Sequence, residues 1–257
     1  MENRGTKEGI PEGTQNKGGT WPRRMLRKPR LHTTYKLLIP ALLVLLISVS
    51  MNIYTVKEGY YKQAEGELFD RYDDVVQVLM PDKPLFPLTV QSLDGPLTVP
   101  IKGKVNVFVP QYVNCPDICH YETMIMLYVM NQTIASGIAD RIVWVTIDVD
   151  PQSSTPDAAR AYMRGMARDM LEKVDWRWLL DTPERMQRVY LLFEMSVQKD
   201  TETGLVGHTA GFFIVNEEGR LLYYVKPKTW EDPAGVGNAL YEILRNLVES
   251  HQPPVAG

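Results

Sequence analysis

The stretch from Ile142 to Val149 limits the possible folds more than any other part of the chain. It reads Ile-Val-Trp-Val-Thr-Ile-Asp-Val, a nearly continuous run of β-branched residues. A strand of this composition is typical of a parallel sheet that is covered on both faces. The chain is therefore predicted to be an α/β protein in which helices pack on both sides of a central sheet.

The order of the neighbouring predicted elements narrows this class further. A strand, a cysteine-bearing helix, the strand just described, a helix, a strand, a helix, a hairpin and a last helix follow one another, after a hairpin-like entry. This order begins with right-handed crossovers and ends with an antiparallel pair. It fits a thioredoxin-like α/β sandwich with an inserted helix and strand. The predicted strands lie at residues 85–90, 97–101, 105–109, 142–149, 176–180, 212–215 and 221–225.

Charge is distributed unevenly along the 257 residues. Residues 1–36 carry nine Lys and Arg against three Asp and Glu, whereas residues 55–257 carry nineteen against twenty-eight. The acidic body argues against a nucleic-acid partner. Residues 37–54 contain no charged side chain, and as a helix they would reach roughly 27 Å, close to the hydrocarbon thickness of about 30 Å. A transmembrane helix is predicted, with the basic tail in the cytoplasm and the body on the outer face, periplasmic or extracellular.

Five segments follow from these patterns. The tail has few large apolar residues and is predicted to be disordered, and an apolar stripe over residues 57–80 predicts a helix. A cleaved signal peptide, with Ser48 and Ser50 in a small-x-small site, is the alternative to the anchor. The predicted segments are a basic tail (1–36), an anchor (37–54), a helical stalk or linker (55–84), a folded domain (85–248) and a tail (249–257).

Both cysteines of the chain lie within eight residues, between Val113 and His120. If a helix begins near Asp117, the spacing of Cys115 and Cys119 can bring both thiols onto one face. Such a pair can form a disulfide or hold one metal ion. A helix N-terminus also favours the thiolate, which binds metals and attacks disulfides. His120 either lowers a thiol pKa or has no part in the site.

His208 is the candidate third ligand, in a glycine-rich loop over residues 204–211 that lies 89 residues beyond Cys119. Two thiolates and one imidazole suit Cu(I) and accommodate Cu(II) with an added ligand. A structural disulfide, a dithiol that reduces partner disulfides, and a zinc site remain open, although closed zinc sites take four ligands. His32 and His251 lie in the two tails.

Three motifs and the N-terminal anchor carry a resemblance to a known family. The motifs are Cys115-Pro116-Asp117-Ile118-Cys119, His208-Thr209 before Phe212-Phe213, and Val149-Asp150-Pro151 through Thr155-Pro156. They resemble those of the Sco/SenC proteins, copper-binding assembly factors of cytochrome c oxidase. The resemblance extends from about residue 85 to residue 247.

The resemblance implies a thioredoxin-like domain with Cys115, Cys119 and His208 as copper ligands. It further implies a membrane-anchored chaperone that delivers copper to the CuA cysteines of cytochrome c oxidase subunit II, and thiol chemistry that requires a reductant. The alternative function is a thiol-disulfide reductase without metal, in which an exposed Cys115 attacks and Cys119 resolves. A peroxide-reducing enzyme is a weaker alternative, because such an enzyme would have an arginine near its reactive cysteine and the sequence around Cys115 has none.

Several positions depart from the family pattern. His120 replaces a proline, Gly207 an acidic residue, Ser154 an aspartate, and Gln111-Tyr112 and Asn114 an aromatic-glycine approach. The loss of the acidic side chain at position 207 removes a group that could orient His208. Copper affinity or the identity of the client is expected to differ in consequence.

Overall fold

The computed structural model of the protein describes residues 34–250, without the side chains of residues 34–38, 54 and 56–65. Most of the predicted N-terminal tail, with His32, and nearly all of the C-terminal tail, with His251, lie outside the described residues. The helices are α1 (Thr34–Arg71), α2 (Ile118–Ala135), α3 (Pro156–Ala167), α4 (Pro183–Leu192) and α5 (Pro233–Ser250). The strands are β1 (Val76–Leu79), β2 (Lys83–Pro84), β3 (Leu88–Ser92), β4 (Gly95–Val99), β5 (Val105–Gln111), β6 (Ile142–Asp148), β7 (Asp175–Leu179), β8 (Val197–Lys199), β9 (Val206–His208), β10 (Phe212–Val215) and β11 (Arg220–Pro227).

By its internal contacts the chain divides into two compact units, residues 1–54 and residues 55–257. The described part of the first unit is helical. Within residues 34–250, no helix combines the length and the apolarity that crossing a membrane would require. The second unit holds the sheet, the other helices and all of the candidate site residues.

The second unit is built on a mixed sheet with the strand order β1-β11-β10-β5-β6-β7-β3-β4, and β2 pairs with β11. The three strands β5, β6 and β7 are parallel to one another. Strand β10 runs antiparallel to β5 and continues into β11, which confirms the predicted hairpin at the end of the chain. The predicted entry hairpin is also present as β3 and β4, although both of its strands begin or end a few residues away from the expected bounds.

The sheet separates two hydrophobic clusters, because successive side chains of a strand point to opposite faces. Trp144 of β6 packs in one cluster with α2, α3 and α5, whereas Val143 and Val145 pack in the other with α4. All seven residues of β6 are buried. The predicted double coverage of this strand is therefore confirmed, and the protein is an α/β sandwich of the thioredoxin-like kind.

The stretch before the entry hairpin differs from its prediction. The helix predicted over residues 57–80 ends at Arg71, and Val76–Leu79 instead forms β1 along the edge strand β11. Leu68 and Val76 are both buried in the core cluster that α2 and α5 share. The helical prediction was wrong for residues 72–80. The apolar residues at 76 and 78 fit the alternating pattern of a strand as well as the spacing of a helix, so this short pattern could not distinguish the two.

Thr155 caps α3: its side chain accepts the N–H of Ala158, and Pro156 occupies the first position of the helix. Side-chain hydrogen bonds also stabilise the turn before β5. The buried side chain of Asn106 donates to the carbonyls of Ile101 and Lys104 at 2.8 and 2.7 Å, and accepts the N–H of Ile101 at 2.8 Å. This amide thereby holds the turn that leads into the central strand.

Replacing Asn106 with Leu is expected to lower the free energy of unfolding by about 2 kcal/mol or more, since three backbone groups lose their partner. Urea unfolding of the full chain should show a lower midpoint with an unchanged slope. Thr98→Val, at an exposed hydroxyl pair, is the control and should change the free energy by less than about 0.5 kcal/mol. Equal effects of the two substitutions would contradict this role of Asn106.

Candidate metal centre

The two cysteines lie where β5 passes into α2. The N–H of Cys115 donates to the carbonyl of Tyr112 at 3.2 Å, so the chain turns directly after the strand. Helix α2 begins at Ile118, and the side chain of Asp117 makes no capping hydrogen bond. Instead, the N–H of Cys119 donates to Sγ of Cys115 at 3.4 Å. The first thiol thus satisfies one of the free amides at the helix start.

His208 lies beside the two cysteines although it is 89 residues beyond Cys119 in the chain. It ends β9, which pairs with β8 in a two-stranded sheet where Val197 lies opposite His208. The glycine-rich stretch predicted as a loop is therefore partly a strand. Nε2 of His208 lies 3.8 Å from Sγ of Cys119. The two sulfurs and the nearest imidazole nitrogen of Cys115, Cys119 and His208 all lie within 4.8 Å of one another.

The imidazole of His208 is oriented by backbone and by an aromatic ring. Its Nδ1 lies 3.0 Å from the carbonyl oxygen of Thr209, and this contact turns the ring so that Nε2 faces the thiols. The ring of Tyr112 meets the imidazole edge to face, with centroids 6.1 Å apart. This carbonyl supplies the orienting contact for which the sequence, with Gly207 before the histidine, offered no side chain.

Ionisation of the two thiols is strongly unequal. Hydrogen bonds from the Cys119 thiol, from His208 and from the N–H groups of Asp117 and Cys119 outweigh burial and lower the pKa of Cys115 to about 4. The pKa of Cys119 is raised far above its usual range by its hydrogen bond to Cys115, by burial and by the nearby carboxylate of Glu122. At neutral pH the metal-free site therefore holds one thiolate and one proton, and a metal that binds both sulfurs must release that proton.

Solvent reaches the site poorly. Cys115 is 5% exposed and Cys119 is 1% exposed, whereas His208 is half-buried. The expectation of an exposed Cys115 was wrong, because this residue is buried in the same hydrophobic cluster as Tyr112 and Val206. Both cysteines are free, and because both are buried, neighbouring side chains would have to move before a disulfide or a partner's thiolate could reach them.

His120 points away from the thiols. It is exposed and stacks against Tyr162 with ring centroids 6.4 Å apart, and it is not among the groups that shift the pKa of either cysteine. Of the two expectations for His120, this placement is consistent with the second, in which the residue has no part in the site.

Three residues near the site were missed from the sequence. Gln111 donates to the carbonyl of Cys119 at 3.2 Å and to Oγ1 of Thr123 at 2.9 Å, and so ties the strand end to α2. Tyr112 packs on His208, and Glu122 is fully buried one turn after Cys119. Glu122 is the one residue among the Asp, Glu, Lys and Arg types in α2. This isolated charge in a mainly apolar helix was the signal that could have indicated it.

Fold and site together define a thioredoxin-like α/β protein that brings a dithiol and an imidazole to one point at the end of its central sheet. Residues 97–244 match the sequence model of the family described as SCO1/SenC. Because this match covers more than half of the sequence, the chain belongs to the SCO1/SenC family. The resemblance read from the motifs is thereby confirmed.

Individual relatives are distant. The human mitochondrial SCO1 homolog is 23% identical over 113 residues, which are 44% of this chain and 37% of the human protein. A SCO1/SenC family lipoprotein from Bacillus anthracis is similar in structure, with a TM-score of 0.54, 21% identity and coverage of 67% of this chain and 98% of that one. Copper-bound yeast Sco1 gives a TM-score of 0.51, 17% identity and coverage of 67% and 92%. At these identities the structural likenesses support the fold.

The unequal thiols predict how alkylation depends on pH. In the reduced, metal-free protein, the rate at which iodoacetamide modifies Cys115 should stay nearly constant from about pH 6 to about pH 9, because this thiol is already ionised. An ordinary thiol with a pKa of about 8.5 would accelerate roughly 200-fold over that range. Peptide mass spectrometry at each pH measures the rate at Cys115 alone.

Cys119→Ala is the matched control, since it removes the main hydrogen-bond donor to Cys115. The pKa of Cys115 should rise in this variant, and the alkylation rate should increase with pH. A wild-type rate that climbs with a midpoint near the ordinary thiol pKa would contradict the predicted thiolate.

Proposed function

We propose that the protein binds copper through Cys115, Cys119 and His208 and delivers it to the CuA centre of cytochrome c oxidase subunit II. The observation that carries this proposal is the convergence of two sulfurs and one imidazole nitrogen within 4.8 Å. This donor set suits Cu(I), and Cu(II) with an added ligand. The family supports it, since yeast Sco1 and Bradyrhizobium japonicum ScoI were both solved with copper bound.

Delivery is proposed to proceed by ligand exchange. Copper loading removes the proton from Cys119, and the two thiolates with Nε2 of His208 then hold the cargo. Because His208 is the most exposed of the three and lies outside α2, it is the ligand that a partner's thiolate can replace first. The partner's second thiolate then displaces one cysteine, the other cysteine dissociates so that copper stays with the partner's two thiolates, and Cys119 takes up a proton from water.

The proposed setting is the outer face of a membrane. Its support is the charge-free segment 37–54 behind a basic tail, together with the exposed apolar side chains of the described part of that segment. In this proposal residues 1–36 lie in the cytoplasm and the folded domain faces the periplasm or the extracellular medium. The predicted linker of residues 55–84 is in part folded into that domain, because β1 and β2 pair with β11 and Leu68 lies in the core cluster.

A thiol-disulfide reductase is the second candidate function, favoured by the low pKa of Cys115. A thiolate at neutral pH can attack a partner disulfide, and Cys119 lies close enough to resolve the mixed disulfide. Both functions can serve one target, because target cysteines must be reduced before they accept copper. The reductase function requires an external thiol reductant to restore Cys115 and Cys119.

Copper titration of the reduced full chain tests the proposed ligands. The wild-type protein should bind about one Cu(I) per chain, and His208→Ala should weaken binding by more than about 100-fold, since loss of an outer-shell partner alone costs 10- to 100-fold. Competition with a chromophoric Cu(I) chelator measures the affinity. The exposed neighbour His120→Ala is the matched control and should bind as the wild type does.

The same variants separate the two candidate functions. A reductase keeps its activity on a disulfide substrate without His208, whereas a copper carrier loses its cargo. Wild-type affinity in His208→Ala would end the proposal that this histidine is a copper ligand.

Cell fractionation tests the anchor. The full chain should remain with membranes after alkaline carbonate extraction, and a chain that lacks residues 1–54 and carries a cleavable export signal should be released. Mass spectrometry of the mature protein distinguishes an intact anchor from cleavage after Ser50. Release of the intact full chain by carbonate would contradict the proposed anchor.

A further inference from the structure

The fully buried carboxyl group of Glu122 is not used by the proposed copper chemistry. Its side chain is 0% exposed, and it lies on α2 three residues after Cys119, on the same face of the helix. Burying a carboxyl group is unfavourable unless a specific contact offsets the loss of water. The structure provides one such contact, from the segment that carries His208.

Oε1 of Glu122 accepts the backbone N–H of Gly211 at 2.8 Å. Among residues 34–250 its second oxygen, Oε2, is buried and has no hydrogen-bond partner. Burial raises the pKa of this carboxyl well above its usual range, against the lowering effect of the Gly211 N–H. A single backbone amide therefore accounts for the orientation of this side chain.

Gly211 lies directly against β11, where a residue with a side chain would clash. Its φ is +130°, and a Cβ at this position would lie 2.6 Å from the carbonyl oxygen of Val225. The carbonyl of Ala210 accepts the hydroxyl of Tyr224 at 2.6 Å. Ala210 and Gly211, two and three residues after His208, are thus held by Tyr224 of β11 and by Glu122 of α2.

We propose that Glu122 is a positioning residue, which ties the His208 segment to the cysteine-bearing helix and so sets the distance between the imidazole and the two thiols. The hydrogen bond joins α2 to the chain between β9 and β10 independently of any metal. The importance of this tether for copper rests on the function proposed above. The tether itself is a property of the metal-free protein.

Two substitutions of similar size separate the tether from packing. Glu122→Met fills the same volume without an acceptor, whereas Glu122→Gln keeps an acceptor for the N–H of Gly211. Thr133→Ala is the control for a buried polar group on the same helix, because the Thr133 hydroxyl bonds only to Met130 of α2. All variants are made in the full chain and kept reduced.

The first measurement is hydrogen exchange of the Gly211 amide in the metal-free protein. Glu122→Met should speed this exchange by about 10-fold or more, since one buried hydrogen bond is lost, and Glu122→Gln and Thr133→Ala should not. The second is Cu(I) affinity, which should fall about 10- to 100-fold in Glu122→Met only. The nitrogen hyperfine splitting of the Cu(II) form should weaken in the same variant.

Three results would overturn the inference: Gly211 exchange that is unchanged in Glu122→Met, Glu122→Gln as damaging as Glu122→Met, or equal losses in Thr133→Ala. If Glu122→Met does not fold, a scalar coupling across the hydrogen bond from Gly211 N to the Glu122 carboxyl carbon decides the question in the wild type, and its absence overturns the tether. If the exchange pattern holds while the wild type binds no copper, the tether stands and the proposed function fails.

Discussion

The parallel pairing of β5 with β6, buried on both faces, is the constraint on which the rest of the second unit depends. Parallel strands require a crossover, and α2 must therefore leave β5 at its carboxyl end and pack along the sheet. The free amides of its first turn then face whatever precedes the helix. In this chain that is Cys115, whose sulfur accepts the N–H of Cys119. The position of the two cysteines at the end of the sheet follows from this crossover.

Burial and hydrogen bonding together set the pKa values of three ionisable groups around this centre, and they oppose each other at Cys115 and Glu122. Cys115 has several donors directed at its sulfur, so its thiolate is favoured although the residue is buried. At Cys119 the hydrogen bond that its thiol donates to Cys115 and then burial both raise the pKa. At Glu122 burial outweighs a single backbone donor and raises the pKa of the carboxyl. The site consequently keeps a small net charge while it is empty of metal, and gains a second thiolate only when a cation is there to neutralise it.

Features that depend on neighbours in sequence were predicted well. The doubly buried β6 and the hairpin of β10 and β11 each rest on signals within about ten residues. Features that depend on distant pairing were not. Val76–Leu79 became a strand because β11 offered an open edge, and Val206–His208 did so because β8 lay alongside. The tether from Glu122 to Gly211 joins residues 89 positions apart and has no local signal.

By itself, the sequence determined the α/β class and the cysteine pair at a helix start, because periodicity and spacing are local properties, and its resemblance to a family indicated His208 as a candidate third ligand. Only the tertiary structure decided that the histidine reaches the thiols, that Cys115 is covered, and that Thr209 and Glu122 take over the orienting and holding roles. The physical reason is that these contacts join segments far apart in the chain, and their geometry exists only after the sheet has brought those segments together.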